Sequence, residues 1–100
     1  MITVTYKNIL KPNKQRDDFM NWLKIYWPQQ QEWGATSVKL WNTREGNRQV
    51  LFCQYTVKNI DRWNENALAS SARPLVRALG EVIDLDKMTI KISVPGRENA

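Results

Sequence analysis

Short stretches that alternate apolar and polar residues, set apart by stretches with helical spacing, constrain this chain more than any other feature. Ile2, Val4 and Tyr6 alternate with Thr3, Thr5 and Lys7, the period of a half-buried strand. Pro12 among polar residues suits the entry to a helix. Phe19, Trp22, Leu23, Tyr26 and Trp27 then recur at i, i+3, i+4, i+7 and i+8, which gives that helix one aromatic and apolar stripe. Pro28 is expected to stop it and to leave Gln29, Gln30, Gln31 and Glu32 as a short polar connection.

From Gly34 the alternation resumes, with Val38 and Leu40 opposite Ser37, Lys39 and Trp41. Gly46 and Asn47, within a polar segment, signal a hairpin into the apolar run Val50 to Val57. A second helical region splits into 60–67 and 72–79 around Pro74, and Gly80 falls where a C′ glycine is expected. Met88, Ile90, Ile92 and Val94 alternate with Thr89, Lys91 and Ser93 as a fourth strand. The resulting β-α-β-β-α-β order predicts a ferredoxin-like α+β sandwich: a four-stranded antiparallel sheet with helices on one face. Residues 1–94 are expected to form that one domain and 95–100 a loose tail, since 100 residues suit one core.

The third strand has two apolar faces, Val50 and Phe52 on one, Leu51, Cys53, Tyr55 and Val57 on the other. Helices on one side of a sheet leave the other side polar unless something covers it. A second copy of the chain is the simplest cover, so a homodimer through the open face is expected, with Leu51, Cys53, Tyr55 and Val57 as the residues that call for it.

Composition narrows the chemistry. The chain has no histidine, which removes Ser-His-Asp and Cys-His triads, His-ligated zinc and His-bound haem. Neither a metal nor a cofactor is expected. Cys53, the single cysteine, reads as a small buried hydrophobe. Asp17 and Asp18 suit a helix's first turn, and Asp84 and Asp86 a turn before a strand, so neither pair reads as catalytic. Hydrophobic residues make up 42% and charged residues 25%, as in globular proteins. No apolar run approaches the roughly 18–20 residues that span a bilayer, and Met1 to Lys7 does not form a signal-peptide core, so no membrane contact and a cytoplasmic location are expected. The net charge of +5 is spread along the chain with acids interleaved, which suits a solvated mixed surface better than a nucleic-acid patch.

Lys11-Pro12-Asn13-Lys14 after the first strand, the apolar strand Val50 to Tyr55, and Asn59, Trp63, Ser70, Ser71 and Leu75 in the second helical region together resemble the antibiotic-biosynthesis-monooxygenase-like family. That family belongs to the dimeric α+β barrel superfamily, in which two ferredoxin-like subunits pack sheet to sheet. The likeness spans roughly residues 1–94. It implies a pocket between helices and sheet, and an activity among cofactor-free monooxygenases of polycyclic phenols, haem-degrading enzymes or small proteins of other roles. The histidine that haem-degrading relatives carry on the second helix is absent, and Asn8 reads as out of register with their first-strand asparagine. Trp63 matches a family aromatic near the pocket.

Cofactor-free oxygenation needs an electron-rich substrate held away from water and polar groups that favour its deprotonation. Tyr6, Trp22, Tyr55 and Trp63 are the residues expected to line such a pocket, with Asn8 or Arg73 near its mouth; a small aromatic metabolite is the implied ligand, and no catalytic residue is assigned. Packed core is the competing reading of the same aromatics. A non-catalytic dimeric module that binds a ligand or a protein stays open beside the enzyme. RNA binding is the weaker alternative: the third strand lacks the glycines of an RNA-recognition motif, and only Trp41 and Tyr55 are expected as open-face aromatics.

Overall fold

A computed structural model describes residues 1–96. The elements are β1 (Ile2–Ile9), α1 (Arg16–Glu32), β2 (Ala35–Glu45), β3 (Arg48–Val57), α2 (Ile60–Leu68), α3 (Arg73–Leu79) and β4 (Thr89–Ser93), with single 3-10 turns at Ser70–Ala72 and Leu85–Lys87. The strands form one antiparallel sheet in the order β2-β3-β1-β4, the ferredoxin-like arrangement expected from the sequence. Gly46 and Asn47 close the β2–β3 hairpin, and Gly46 takes the left-handed φ of +64° that such a turn demands. Of the expected tail, Pro95 and Gly96 form a turn, and 97–100 lie outside the described residues.

Helix α1 differs most from expectation. It runs through Pro28 to Glu32, and Gln29 to Glu32 are helical rather than a connection. Proline costs a helix about 3 kcal/mol. The last turn offsets this by burying the Trp33 indole, which packs edge-on against Trp63 with centroids 5.4 Å apart. Burying an indole removes about 150–250 Å² from water, worth about 4–6 kcal/mol. The Gln29 side-chain amide also donates to the Ser71 carbonyl at 3.2 Å, and the Arg62 guanidinium donates to the Glu32 carbonyl, so α1's end is tied to α2 and to the turn beyond it. At the other end, the Gln15 backbone N–H donates to the Asp18 carboxylate at 2.8 Å, half of a capping box.

Gly80 ends α3 in right-handed geometry, with φ −63°, rather than as the left-handed C′ glycine expected. Its surroundings are close instead: a Cβ there would meet the Leu85 Cδ1 at 2.8 Å, a contact that a shift of that exposed side chain relieves.

Register decides which face of the sheet is which. Val4 pairs with Tyr55, Tyr6 with Cys53 and Asn8 with Leu51, so these six side chains share one face, the one the helices cover. Asn8 is therefore in register with Val4 and Tyr6, and it is buried. Leu51, Cys53, Tyr55 and Val57, expected to call for a second copy, are buried in the chain's own helix-covered core. The reason is parity: β1 pairs with β3 so that its own apolar residues fall on that side, and one-residue steps alternate the faces. The open face carries Thr3, Thr5, Lys7, Gln54 and Thr56, with Phe52 stacked on Trp41 at 5.3 Å and 11°. Its aromatics are thus Trp41 and Phe52, and Tyr55 belongs to the other side. An ion pair from Lys7 to Glu45 crosses β3 on this face.

Candidate functional site

Between the helices and the sheet lies a cavity of about 260 Å³. Tyr6, Asn8, Cys53 and Tyr55 form its floor, Phe19, Trp22 and Gln30 of α1 and Trp63 of α2 its walls, and Leu68, Val76, Leu85 and Ile90, all exposed, surround its mouth. Five of the six residues singled out in the sequence, Tyr6, Asn8, Trp22, Tyr55 and Trp63, thus line one space. Arg73 does not: it is exposed at the start of α3, outside the lining.

The aromatic groups hold one another in place. Tyr55 packs against Trp63 at 4.9 Å, edge-on to Tyr6 at 5.8 Å, and parallel to Trp27 at 6.4 Å. Both cavity indoles of the singled-out set have spent their donors inside the protein. Trp22 Nε1 donates to the Leu75 carbonyl at 3.0 Å, and Trp63 Nε1 donates to the Tyr6 hydroxyl at 3.0 Å. The second bond orients Tyr6: its oxygen accepts from the indole, which leaves the phenolic O–H to donate elsewhere.

Three further polar atoms in the lining, Asn8 Oδ1, Gln30 Oε1 and the Tyr55 hydroxyl, are buried without a well-formed hydrogen bond to another protein group, although the Tyr55 hydroxyl lies near the Gln30 amide and the Cys53 thiol. Their side chains are 1%, 2% and 2% exposed. Each such atom costs about 1–3 kcal/mol when left unpaired, and native proteins hold few of them. Three around one cavity need an explanation in terms of what the cavity holds.

The titratable groups here are all held in their neutral forms at neutral pH. Burial pushes the Tyr6 hydroxyl up, with the Trp63 donor offsetting part of the rise and the Cys53 thiol adding to it. Burial pushes the Cys53 thiol up to about 12, opposed in part by Tyr55. Tyr55 is pushed well above the usual phenol range, again chiefly by burial and then by Cys53, while the nearby Gln30 amide offsets a little. The site therefore offers O–H and amide groups for hydrogen bonding and no side chain poised as a base near pH 7. Among the described residues no three His, Cys, Asp or Glu side chains converge as metal ligands.

Pro28, a local helix stop, hides Gln30 from sequence reasoning. The signal was present: Gln30 continues the stripe of Trp22, Leu23 and Tyr26 at i+8, i+7 and i+4. Cys53 was read as a core hydrophobe, and it is both buried and part of the cavity floor.

Solved structures match over nearly the whole chain. A conserved protein from Methanosarcina mazei Go1 is 22% identical with a TM-score of 0.67, covering 92% of this chain and 89% of its own. An antibiotic biosynthesis monooxygenase is 12% identical with a TM-score of 0.64, covering 95% of this chain and 100% of its own. SnoaB, a cofactor-independent oxygenase from Streptomyces nogalater, is 12% identical with a TM-score of 0.57, covering 93% and 90%. The chain has the fold of these oxygenases. No protein-family model matches the sequence, and no curated protein matches it. At these identities the oxygenase fold is what is shared, and it supports many activities.

Proposed function

We propose that this chain binds a small hydroxylated aromatic metabolite in the cavity and acts on it as a cofactor-independent monooxygenase-like protein. One observation carries the reading: three buried polar atoms that lack a well-formed hydrogen bond within the protein line a space otherwise walled by aromatic and aliphatic groups. A planar ligand carrying hydroxyl groups supplies the missing partners, donating to Asn8 Oδ1 and Gln30 Oε1, while its ring displaces water from apolar walls. Tyr6, with its oxygen held by Trp63, donates to a ligand oxygen. The likeness to oxygenases of this fold supports the same reading.

The chemistry needs no external reductant. A phenol and dioxygen give a para-quinone and one water: the ring carbon gains oxygen, two hydrogens leave the substrate, and the second oxygen atom leaves as water. The residues' part is to bind the phenol, to stabilise its anion through the O–H donors of Tyr6 and Tyr55, and to exclude bulk water. The proton passes to solvent at the mouth, because no lining side chain is a base at neutral pH. That same neutrality favours a second reading, a binding module without catalysis. Oxygen-electrode traces with a panel of hydroxyquinones and polyphenols separate the two. Uptake that requires the protein supports the enzyme; binding without uptake leaves the module.

We further propose that residues 1–94 work as one unit in the cytoplasm and that two copies pair through the open face around the Trp41–Phe52 stack. Among the described residues no helix is long and apolar enough to cross a membrane.

A further inference from the structure

A second cleft, of about 560 Å³, lies at the hairpin end of the sheet, away from the aromatic cavity. Four cationic side chains line it: Lys11 and Lys14 from the β1–α1 turn, and Arg44 and Arg48 from either side of the β2–β3 hairpin. Lys14 is half-buried and the other three are exposed. No ion pair engages any of the four among the described residues. The local acids are occupied by other cations: Glu45 by Lys7, and Asp84, the one acid in the lining, by Lys87 at 4.0 Å. The lining holds four positive groups and one negative group, so the cleft concentrates positive charge that the chain as a whole spreads out.

The scaffold beneath the cations is fixed by backbone bonds. Leu10 N–H donates to the Gln49 carbonyl at 3.0 Å, Lys11 N–H to the Val82 carbonyl at 3.0 Å, and Asp84 N–H to the Ile9 carbonyl at 2.9 Å. The end of β1 is thereby clamped to the start of β3 and to the segment before β4, and Pro12 stiffens the turn that carries both lysines. Like charges held together on such a frame repel one another, and an anion between them relieves the repulsion.

We propose that this cleft binds a small molecule through two or more of its phosphate groups. Arg44 and Arg48 suit bidentate contacts to phosphate oxygens, and Lys11 and Lys14, carried by a different segment of the lining, add point charges. No aromatic side chain lines the cleft, so a nucleobase finds no aromatic platform there, and recognition rests chiefly on the phosphates.

The test is calorimetric titration of the whole protein with inorganic tripolyphosphate at low and physiological salt, beside the variants R44A/R48A and K24A/K39A. All four substituted side chains are exposed, so neither variant removes a core contact, and circular dichroism checks that both fold. The expected result is saturable binding that weakens with salt, falls by at least about tenfold in R44A/R48A, and is unchanged in K24A/K39A. ATP should bind no more tightly than tripolyphosphate. Absence of binding, or an equal loss in both variants, overturns the proposal. Tighter binding of single-stranded RNA with quenching of Trp41 also overturns it, because the cleft would then be one end of a polynucleotide surface on the open face.

Discussion

Replacing Tyr55 by Phe should stabilise the protein and weaken its ligand, two effects of opposite sign from one oxygen atom. The ring stays: its contacts with Trp63, Tyr6 and Trp27 involve no hydroxyl, and the residue is 2% exposed. The hydroxyl makes no well-formed hydrogen bond, with only the Gln30 amide and the Cys53 thiol near it, and a buried hydroxyl left unpaired costs about 1–3 kcal/mol. Deleting it leaves a void of about one oxygen atom, which costs a few tenths of a kcal/mol at about 24 cal/mol per Å³. The net expectation is a gain of about 1 kcal/mol, or a rise in Tm of about 4–8 °C for a chain of this size. Urea unfolding followed by circular dichroism measures the first quantity and thermal melts the second. Affinity for the aromatic ligand should fall by about tenfold, since the phenolic donor is lost. A Tyr55→Phe protein destabilised by more than about 1 kcal/mol would contradict this expectation. It would mean that the hydroxyl is satisfied inside the empty protein, so that its burial says nothing about a ligand.

Trp63→Phe should cost about 2 kcal/mol in urea unfolding, because it empties part of a fully buried site and removes the indole donor to Tyr6. Stability should decline above pH 9. There the unfolded Cys53 thiol ionises while the folded one, held up to about 12, keeps its proton, so the loss is about 1.4 kcal/mol per pH unit until the folded pKa is reached. The raised hydroxyls of Tyr6 and Tyr55 act in the same direction from pH 10, and a Cys53→Ala variant should shift the onset to that higher pH, as read by denaturant midpoints across the range. The proposed pairing through the open face predicts a dimer in sedimentation velocity at micromolar concentration that Trp41→Glu dissociates, with the aromatic cavity's ligand affinity nearly unchanged.

Much of the fold was legible because period-two and period-3.6 spacing encode strands and helices directly, and the order of those segments fixed the sheet order. Two readings failed where tertiary burial outweighed local signals. Pro28 is a strong local stop, but Trp33, five residues further on, is buried deeply enough to carry the helix past it. The two faces of β3 both look apolar in sequence, and only the pairing of Asn8 with Leu51 and Tyr6 with Cys53 tells which face meets the helices. The candidate site followed the same division. Tyr6, Trp22, Tyr55 and Trp63 were legible as aromatics at strand and helix spacing, whereas Gln30 was hidden by the proline, and Arg73, expected near the mouth, is exposed at the start of α3 outside the lining. Where a polar atom lacks a partner is a property of packed side chains, and no spacing rule reveals it.

The most direct test is a fluorescence titration of the protein with hydroxylated naphthoquinones and related polyphenols, since Trp22, Trp33 and Trp63 line the cavity and report its occupancy. Saturable quenching is expected at one ligand per chain, weakened in Asn8→Leu and in Gln30→Met and retained in Arg73→Ala. No saturable quenching by any member of the panel, or quenching that the Asn8 and Gln30 substitutions leave untouched, would contradict the claim that this cavity is a ligand site.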